Sequence, residues 1–233
     1  MEPEPITLTP PHHPRGSFTR QCWRDVVLMH WPCETREIAP MLAPGTRPDL
    51  FAGTSWIGLV GLRMSVASLL GCPVRLRLTE LNVRTYVVDC RGRRGLAFLT
   101  MEASNPVFAT AASAVARLPY RTSVVECSTS AGEIGYHVER SGVGLRLRVR
   151  RGDRVAPTES DRFLTARWRM YSTWHGCTVR TPVQHEPWAL DSAELLDFVD
   201  SGLLGELGLA PPSIPIVRCA SRIDARFGMP ALV

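Results

Sequence analysis

Four polar residues on one short stretch carry the strongest chemical signal in this sequence. Glu80, Asn82, Arg84 and Tyr86 occupy alternate positions of Thr79-Glu80-Leu81-Asn82-Val83-Arg84-Thr85-Tyr86-Val87-Val88. On an extended chain alternate side chains point the same way, so these four share one face and Leu81, Val83, Thr85 and Val87 share the other. The polar face presents a carboxylate, an amide, a guanidinium and a phenol over roughly 20 Å, at about 3.3 Å per residue. Arg84 could clamp a carboxylate or a polarised oxygen through two parallel N–H bonds. Glu80 could serve as general acid or base if burial raised its pKa toward neutrality, with Asn82 orienting the ligand. An ordinary amphipathic strand with a wet outer face has the same pattern. Asn is disfavoured in strands, and Tyr beside Arg is typical of binding surfaces, so both details raise the pocket-lining reading.

What is absent narrows the chemistry further. The chain of 233 residues has no lysine, so all 27 of its basic side chains are arginine. No side chain can form a Schiff base with a carbonyl substrate or with pyridoxal phosphate, and a Walker-type phosphate loop is excluded. No cofactor is implied. The seven cysteines are scattered without a Cys-x-x-Cys pair, which argues against a disulfide framework and against a cysteine zinc site. His12 and His13 stand together in a Pro-rich stretch, but no further ligands accompany them, so no metal site is expected.

Other residues join the candidate set with weaker support. Arg167, Arg169 and Tyr171 alternate, and Arg167 is either a second anion contact or a surface charge. Trp56, Trp168 and Trp188 could form aromatic walls. His30, beside Trp31, reads as a packed histidine hydrogen-bonded at a rim. His185, with Trp188, could close one end of a cavity, although a structural role is the plainer reading.

These side chains need a frame, and the pattern along the chain is mostly β. Residues 1–18 read as a loose Pro/His-rich arm and 19–233 as one domain. Glu34–Leu42 reads as a short helix broken by Pro40. Trp56–Met64 is an apolar strand carrying glycines, as in a curved or barrel-forming sheet. Val74–Leu78, Leu81–Cys90 and Gly95–Glu102 read as strands, the last two joined in a hairpin through Arg91-Gly92-Arg93-Arg94. A helix starts at Asn105, with Pro106 at its first position, and runs to about Leu118 before Pro119. Strands resume at Tyr120, with turns at Ala131-Gly132, Ser141-Gly142 and Arg151-Gly152-Asp153. Asp191, with Glu194 at capping-box spacing and Gly202 as a stop, predicts another helix, and a last strand lies near Ile216–Cys219. The expected class is α+β, mostly β: a barrel or sandwich with two or three peripheral helices.

The net charge of +5 raises nucleic acid as a partner. Its densest source is Arg140–Arg154, where Leu145, Leu147 and Val149 alternate with Arg146, Arg148 and Arg150. That is a strand with an apolar inner face and a solvated or edge-protecting guanidinium face. No aromatic residue interleaves to stack bases, so nucleic acid is not the expected partner. No apolar run reaches the ~18 residues of a membrane span. The acidic, Pro-rich start is unlike a signal peptide, and a cytoplasmic location is the default expectation. A homo-oligomer is left open.

The chain as a whole resembles the YqjF-like family. The resemblance rests on His30-Trp31, the run Gly53–Gly58, Glu80–Val87, Leu118-Pro119-Tyr120, Phe163–Arg167 and His185-Glu186-Pro187-Trp188, in that order. The family is similar to the acetoacetate decarboxylase-like fold, which implies a curved β-barrel around a central cavity. Acetoacetate decarboxylases carry a Pro-Lys-Lys step, and Tyr120 and Arg121 stand in the corresponding stretch here. Arginine stays protonated and cannot replace the amine, so decarboxylation through an imine is not expected. The resemblance implies a pocket for a small polar or anionic metabolite, with Tyr120 as a proton donor and Arg121 as a further ligand contact. Two readings stay open: an acid/base enzyme of the lyase, hydratase or isomerase kind, or a binding or sensing module without turnover.

Overall fold

A computed structural model of the chain describes residues 1–11, 16–211 and 214–233. His12 and His13 lie outside the described residues. In chain order the strands are β1 (Thr19–Cys33), β2 (Thr46–Pro48), β3 (Ser55–Leu69), β4 (Cys72–Asp89), β5 (Arg94–Ala103), β6 (Tyr120–Thr122) and β7 (Val124–Ser130). They continue as β8 (Glu133–Arg140), β9 (Val143–Arg154), β10 (Arg169–Trp174), β11 (Cys177–His185), β12 (Asp191–Ser201), β13 (Ile216–Phe227) and β14 (Ala231–Leu232). Helices α1 (Thr35–Ile38), α2 (Pro106–Ala116) and α3 (Glu159–Thr165) interrupt them. The fold is mostly β, as the sequence predicts.

The pairing closes a barrel. β5, β4, β3, β1 and β13 follow one another antiparallel, β13 pairs onto β11, β11 onto β10, and β10 runs parallel to β5. Two seams of this ring are short. β10 meets β5 only where Met170 faces Leu96 and Tyr171 faces Ala97. β11 meets β13 only through Val183–Phe227, Gln184–Arg226 and His185–Ala225. Further along that edge of β13, β12 takes over at Asp191–Cys219 and leads into a second leaf, β12–β9–β8–β7.

The leaf covers the outside of the barrel at β1, β3 and β4. Val27, Met29, Ile57, Leu59, Leu81 and Val83 pack there against Val125, Tyr136, Leu145, Leu147 and Val149. Burial of each such side chain is worth about 1.5–3 kcal/mol. Gly61 permits the contact: a Cβ there would lie 2.6 Å from the Tyr136 ring. The opposite faces of the same strands fill the barrel with Val60, Leu62 and Met64, and α2 adds Phe108. The second half of β1 is therefore covered on both sides, and Val26 through Met29 are each 0% exposed. A strand of that kind shows no alternation, which is why its pattern does not announce it.

Several local expectations are met. Asn105 caps α2, its Oδ1 accepting from the Phe108 N–H at 2.9 Å. The helix ends at Ala116, because Arg117 turns left-handed with φ 55°. In β9 the leucines and Val149 are buried while Arg146, Arg148 and Arg150 face outward against Asp197, Glu133 and Glu194. β9 is flanked by β8 and β12, however, so its arginines do not protect an edge.

Val74–Leu78 and Leu81–Cys90, read as separate strands, are one continuous strand, β4, and two further expectations are overturned. The segment from Asp191, expected to be a helix, is strand β12. It lies beside the arginine row of β9, where Arg146 Nε reaches Asp197 at 2.7 Å and Arg150 Nη1 reaches Glu194 at 2.8 Å. Pairing with a waiting strand of opposite charge overrides a local helix signal. Arg151-Gly152-Asp153 is not a turn but part of β9. Gly152 serves close strand approach, since a Cβ there would sit 2.5 Å from Ser192 Oγ. α3 was not expected, although Thr158 and Asp161 form a capping box at its start.

The N-terminal arm is anchored over its described residues. Glu4 accepts from the Arg94 N–H at 3.0 Å and pairs with Arg169. Trp168 Nε1 donates to the Thr7 carbonyl at 3.0 Å. Among the described residues no helix is long and apolar enough to cross a membrane.

Candidate functional site

β4 sits between two cores, and this decides where its polar row goes. Leu81 and Val83 face the outer leaf, so Glu80, Asn82 and Arg84 face the barrel interior. The face that could have been wet is enclosed. A β-bulge between Val83 and Arg84 shifts the register against β5, pairing Val83 with Thr100 and Arg84 with Phe98. Bulges re-aim side chains, and both Arg84 and Phe98 line the interior cavity.

The cavity measures about 60 Å³, room for roughly four water molecules at ~10–15 Å³ each. Its walls include Trp23, Met64, Phe108, Met170, Trp188 and Phe227. Glu80 is 2% exposed. Its Oε2 accepts from the Tyr120 hydroxyl at 2.7 Å and its Oε1 from Asn82 Nδ2 at 2.9 Å. Burial pushes the Glu80 carboxyl above its ordinary value, opposed by the Tyr120 and Asn82 bonds and by the charge of Arg84. Burial also lifts the Tyr120 phenol well above its usual range, and the Glu80 carboxylate adds to that. Tyr120 is aimed by its surroundings. It follows α2 and joins β6, parallel to β5, with its ring edge-on to Phe108 at 5.5 Å.

Arg84 is 7% exposed. Among the described residues no carboxylate lies within ion-pairing distance of it, and its Nε–H has no hydrogen-bond partner. Arg167 is held from three sides. Its Nη1 donates to Asp49 at 2.6 Å and its Nε to the Phe163 carbonyl at 2.8 Å, and the guanidinium lies 4.3 Å from the Phe163 ring centre. Arg167 Nη2 and Asn82 Oδ1 are likewise buried without partners. The cavity thus has two cationic walls with spare N–H groups, and an amide oxygen with a spare lone pair beside a buried carboxyl.

Residues 20–224 match the family model DUF2071, described as "Uncharacterized conserved protein". The chain belongs to the DUF2071 family. Within the curated relatives, YqjF of Bacillus subtilis (strain 168) is 25% identical over 217 residues, covering 89% of each chain. Among solved structures, the DUF2071 chain is similar to the enduracididine biosynthesis enzyme MppR complexed with pyruvate. The TM-score is 0.65 at 15% identity, covering 97% of this chain and 91% of that one. It is also similar to acetoacetate decarboxylase from Legionella pneumophila, with TM-score 0.64 at 10% identity and 99% and 91% coverage. At these identities the likeness is one of fold: the acetoacetate decarboxylase-like barrel.

The remaining candidates divide. His185 and Trp188 line the cavity. The His185 ring lies 4.7 Å from Trp168 and 5.5 Å from Trp188, and burial lowers its pKa to about 4. Trp168 therefore backs His185 and does not itself wall the cavity. Tyr86 shares the inward face but lies under the Arg167 guanidinium, 4.9 Å from it, away from the lining. Trp56 packs on Phe51 outside the lining. Arg121 points to solvent and pairs with Glu206 at 3.0 Å, because alternation along β6 turns it out where Tyr120 turns in. His30 is packed as expected, but its Nε2 is buried without the hydrogen bond anticipated for it. Gln21, Trp23 and Asp49 were not found from sequence. Gln21 and Trp23 sit on the unrecognised strand β1, and Asp49 reaches the site through Arg167, more than a hundred residues away, while also pairing with Arg94.

Proposed function

We propose that the barrel cavity binds a small hydroxy- or oxo-carboxylic acid and that Glu80 moves a proton on it, as in a lyase, hydratase or isomerase. The observation that carries this reading is Arg84, a buried guanidinium facing the cavity without a carboxylate of its own. A buried charge left unpaired is costly, and a ligand carboxylate removes that cost. Arg167 Nη2 offers a second donor, and Asn82 Oδ1 would accept a ligand hydroxyl. The cavity volume suits a ligand of few heavy atoms. Pyruvate in MppR lends the ligand class further support, because the barrel is shared.

In the proposed step a proton leaves the carbon or hydroxyl beside the ligand carboxyl and passes to a Glu80 oxygen. The negative charge that develops is held by Arg84 and Arg167, and the protonated Glu80 carboxyl then returns a proton to the same or the neighbouring atom, which restores the carboxylate. Tyr120 and Asn82 hold the carboxyl in place. No imine forms, since no lysine is present.

The test is a panel of two- to five-carbon oxo and hydroxy acids followed by proton exchange into deuterated water. Wild-type protein exchanges label into a bound acid, and Glu80→Gln binds the acid within about threefold while exchange falls at least ~100-fold, the usual scale for an acid/base group. Binding without exchange in the wild type, at an affinity independent of pH, identifies a sensing module instead. No binding of any acid refutes the reading.

A further inference from the structure

The rim of the barrel next to the cavity carries an open groove of about 1650 Å³. Gln21 and His185 line both the groove and the cavity, so the two spaces share a wall. The groove is strongly cationic: Arg20, Arg75, Arg77, Arg222 and Arg226 line it against only Glu186 and Asp224. Arg222 is engaged with Asp224 at 3.0 Å. The other four arginines have no carboxylate partner among the described residues, unlike the arginines of β9, each of which has one.

Strand register makes the imbalance sharper. Arg20 on β1 lies directly opposite Arg226 on β13. Directly opposed residues point to the same side, and like charges there are destabilising. Arg226 Nε is also buried without a hydrogen-bond partner. On β4, Arg75 and Arg77 alternate and so lie about 7 Å apart on one side. An arrangement that opposes cations and withholds acids is relieved by a multiply charged anion. Among the described residues no Phe, Tyr or Trp lines the groove, and the His185 ring is already packed against Trp168 and Trp188, so a row of free aromatic faces for bases is missing.

We infer that this groove binds the phosphate-bearing part of the ligand whose acid end enters the cavity, so that the substrate class is a phosphorylated organic acid. The inference rests on the proposed acid site for its second half only; the phosphate site stands on the groove itself.

The test uses two probes on the full-length chain, inorganic pyrophosphate for the groove and pyruvate for the cavity, each by calorimetry. Pyrophosphate binds wild type, weakens at least tenfold in Arg77→Gln and in Arg226→Gln, and weakens with added salt. Pyruvate affinity in those variants stays within twofold. Arg84→Met reverses the pattern, losing pyruvate and keeping pyrophosphate. If pyrophosphate fails to bind, or binds all variants alike, the groove inference is overturned even where pyruvate binds. Failure of pyruvate alone removes the acid-site reading and leaves the phosphate site standing. A short DNA duplex that displaces pyrophosphate and binds more tightly through the same arginines also overturns it, by making the groove a nucleic-acid surface.

Discussion

Arg84→Met separates a residue kept for a ligand from one kept for the fold. The side chains are similar in length, so packing is largely retained. Among the described residues the ligand-free guanidinium has no acid partner, and its Nε–H is unbonded. Its removal leaves no carboxylate stranded and deletes a desolvated charge, so the ligand-free melting temperature should stay level or rise. Binding should respond in the opposite way. A hydrogen bond to a charged group contributes about 1.5–3 kcal/mol. Two such bonds to a ligand carboxylate come to about 3 kcal/mol at the low end, roughly 150-fold in Kd. Wild type with ligand at 100 times Kd gains about 2.7 kcal/mol, which for a chain of this size is a shift of roughly 5–11 °C. Thermal unfolding with and without a bound acid, together with calorimetry, reads both quantities. A variant that melts about 8 °C lower without ligand, yet binds the acid as wild type does, would falsify the argument and make Arg84 a structural cation.

Arg167→Met should behave differently, because it strands part of the Asp49 charge. Breaking a buried pair costs about 3 kcal/mol, a fall of roughly 6–12 °C in melting temperature. Tyr120→Phe removes a donor that holds the Glu80 pKa down, so the pH profile of proton exchange should move to higher pH; an unmoved profile would separate Tyr120 from the Glu80 step. Acid stability should reflect the buried histidines. His30 and His185 both titrate below the ordinary histidine value, His185 at about 4, chiefly because burial disfavours their cations. The His185 contribution is complete above pH 6.5 and disappears as pH falls toward 4, about 2 kcal/mol after allowing for its partial exposure, and His30 acts in the same direction. His185→Gln should flatten that slope in a denaturation series. Borohydride trapping with a keto acid should label no internal peptide, as mass spectrometry would show.

The inward-facing polar row was legible where one strand carried it whole. Glu80, Asn82 and Arg84 alternate along β4, and period two alone puts them together. Their burial was not readable locally, because it depends on a leaf of strands from residues 124–201 covering the other face. Tyr86 shows the limit of the rule: it points inward but ends beneath Arg167, which arrives from a different part of the chain. β12 was misread because its local caps suit a helix, whereas its acids answer arginines on β9. β1 was missed because its Val26–Met29 half is buried on both faces and has no polar side to reveal it.

The short seams on either side of the β10–β11 hairpin give the barrel one movable stave. Every other wall is zipped along much of its length, while this hairpin is fastened by brief stretches at Met170–Tyr171 and Val183–His185 and by the two-residue strand β14 at Val179–Arg180. Brief ladders release before long ones. The hairpin brings Met170, Val183 and His185 to the cavity, so the panel that comes loose most readily is also a panel that touches the guest. Entry and exit then need no unfolding of the rest of the wall, and amide protons at these two seams should be the first of the barrel to exchange.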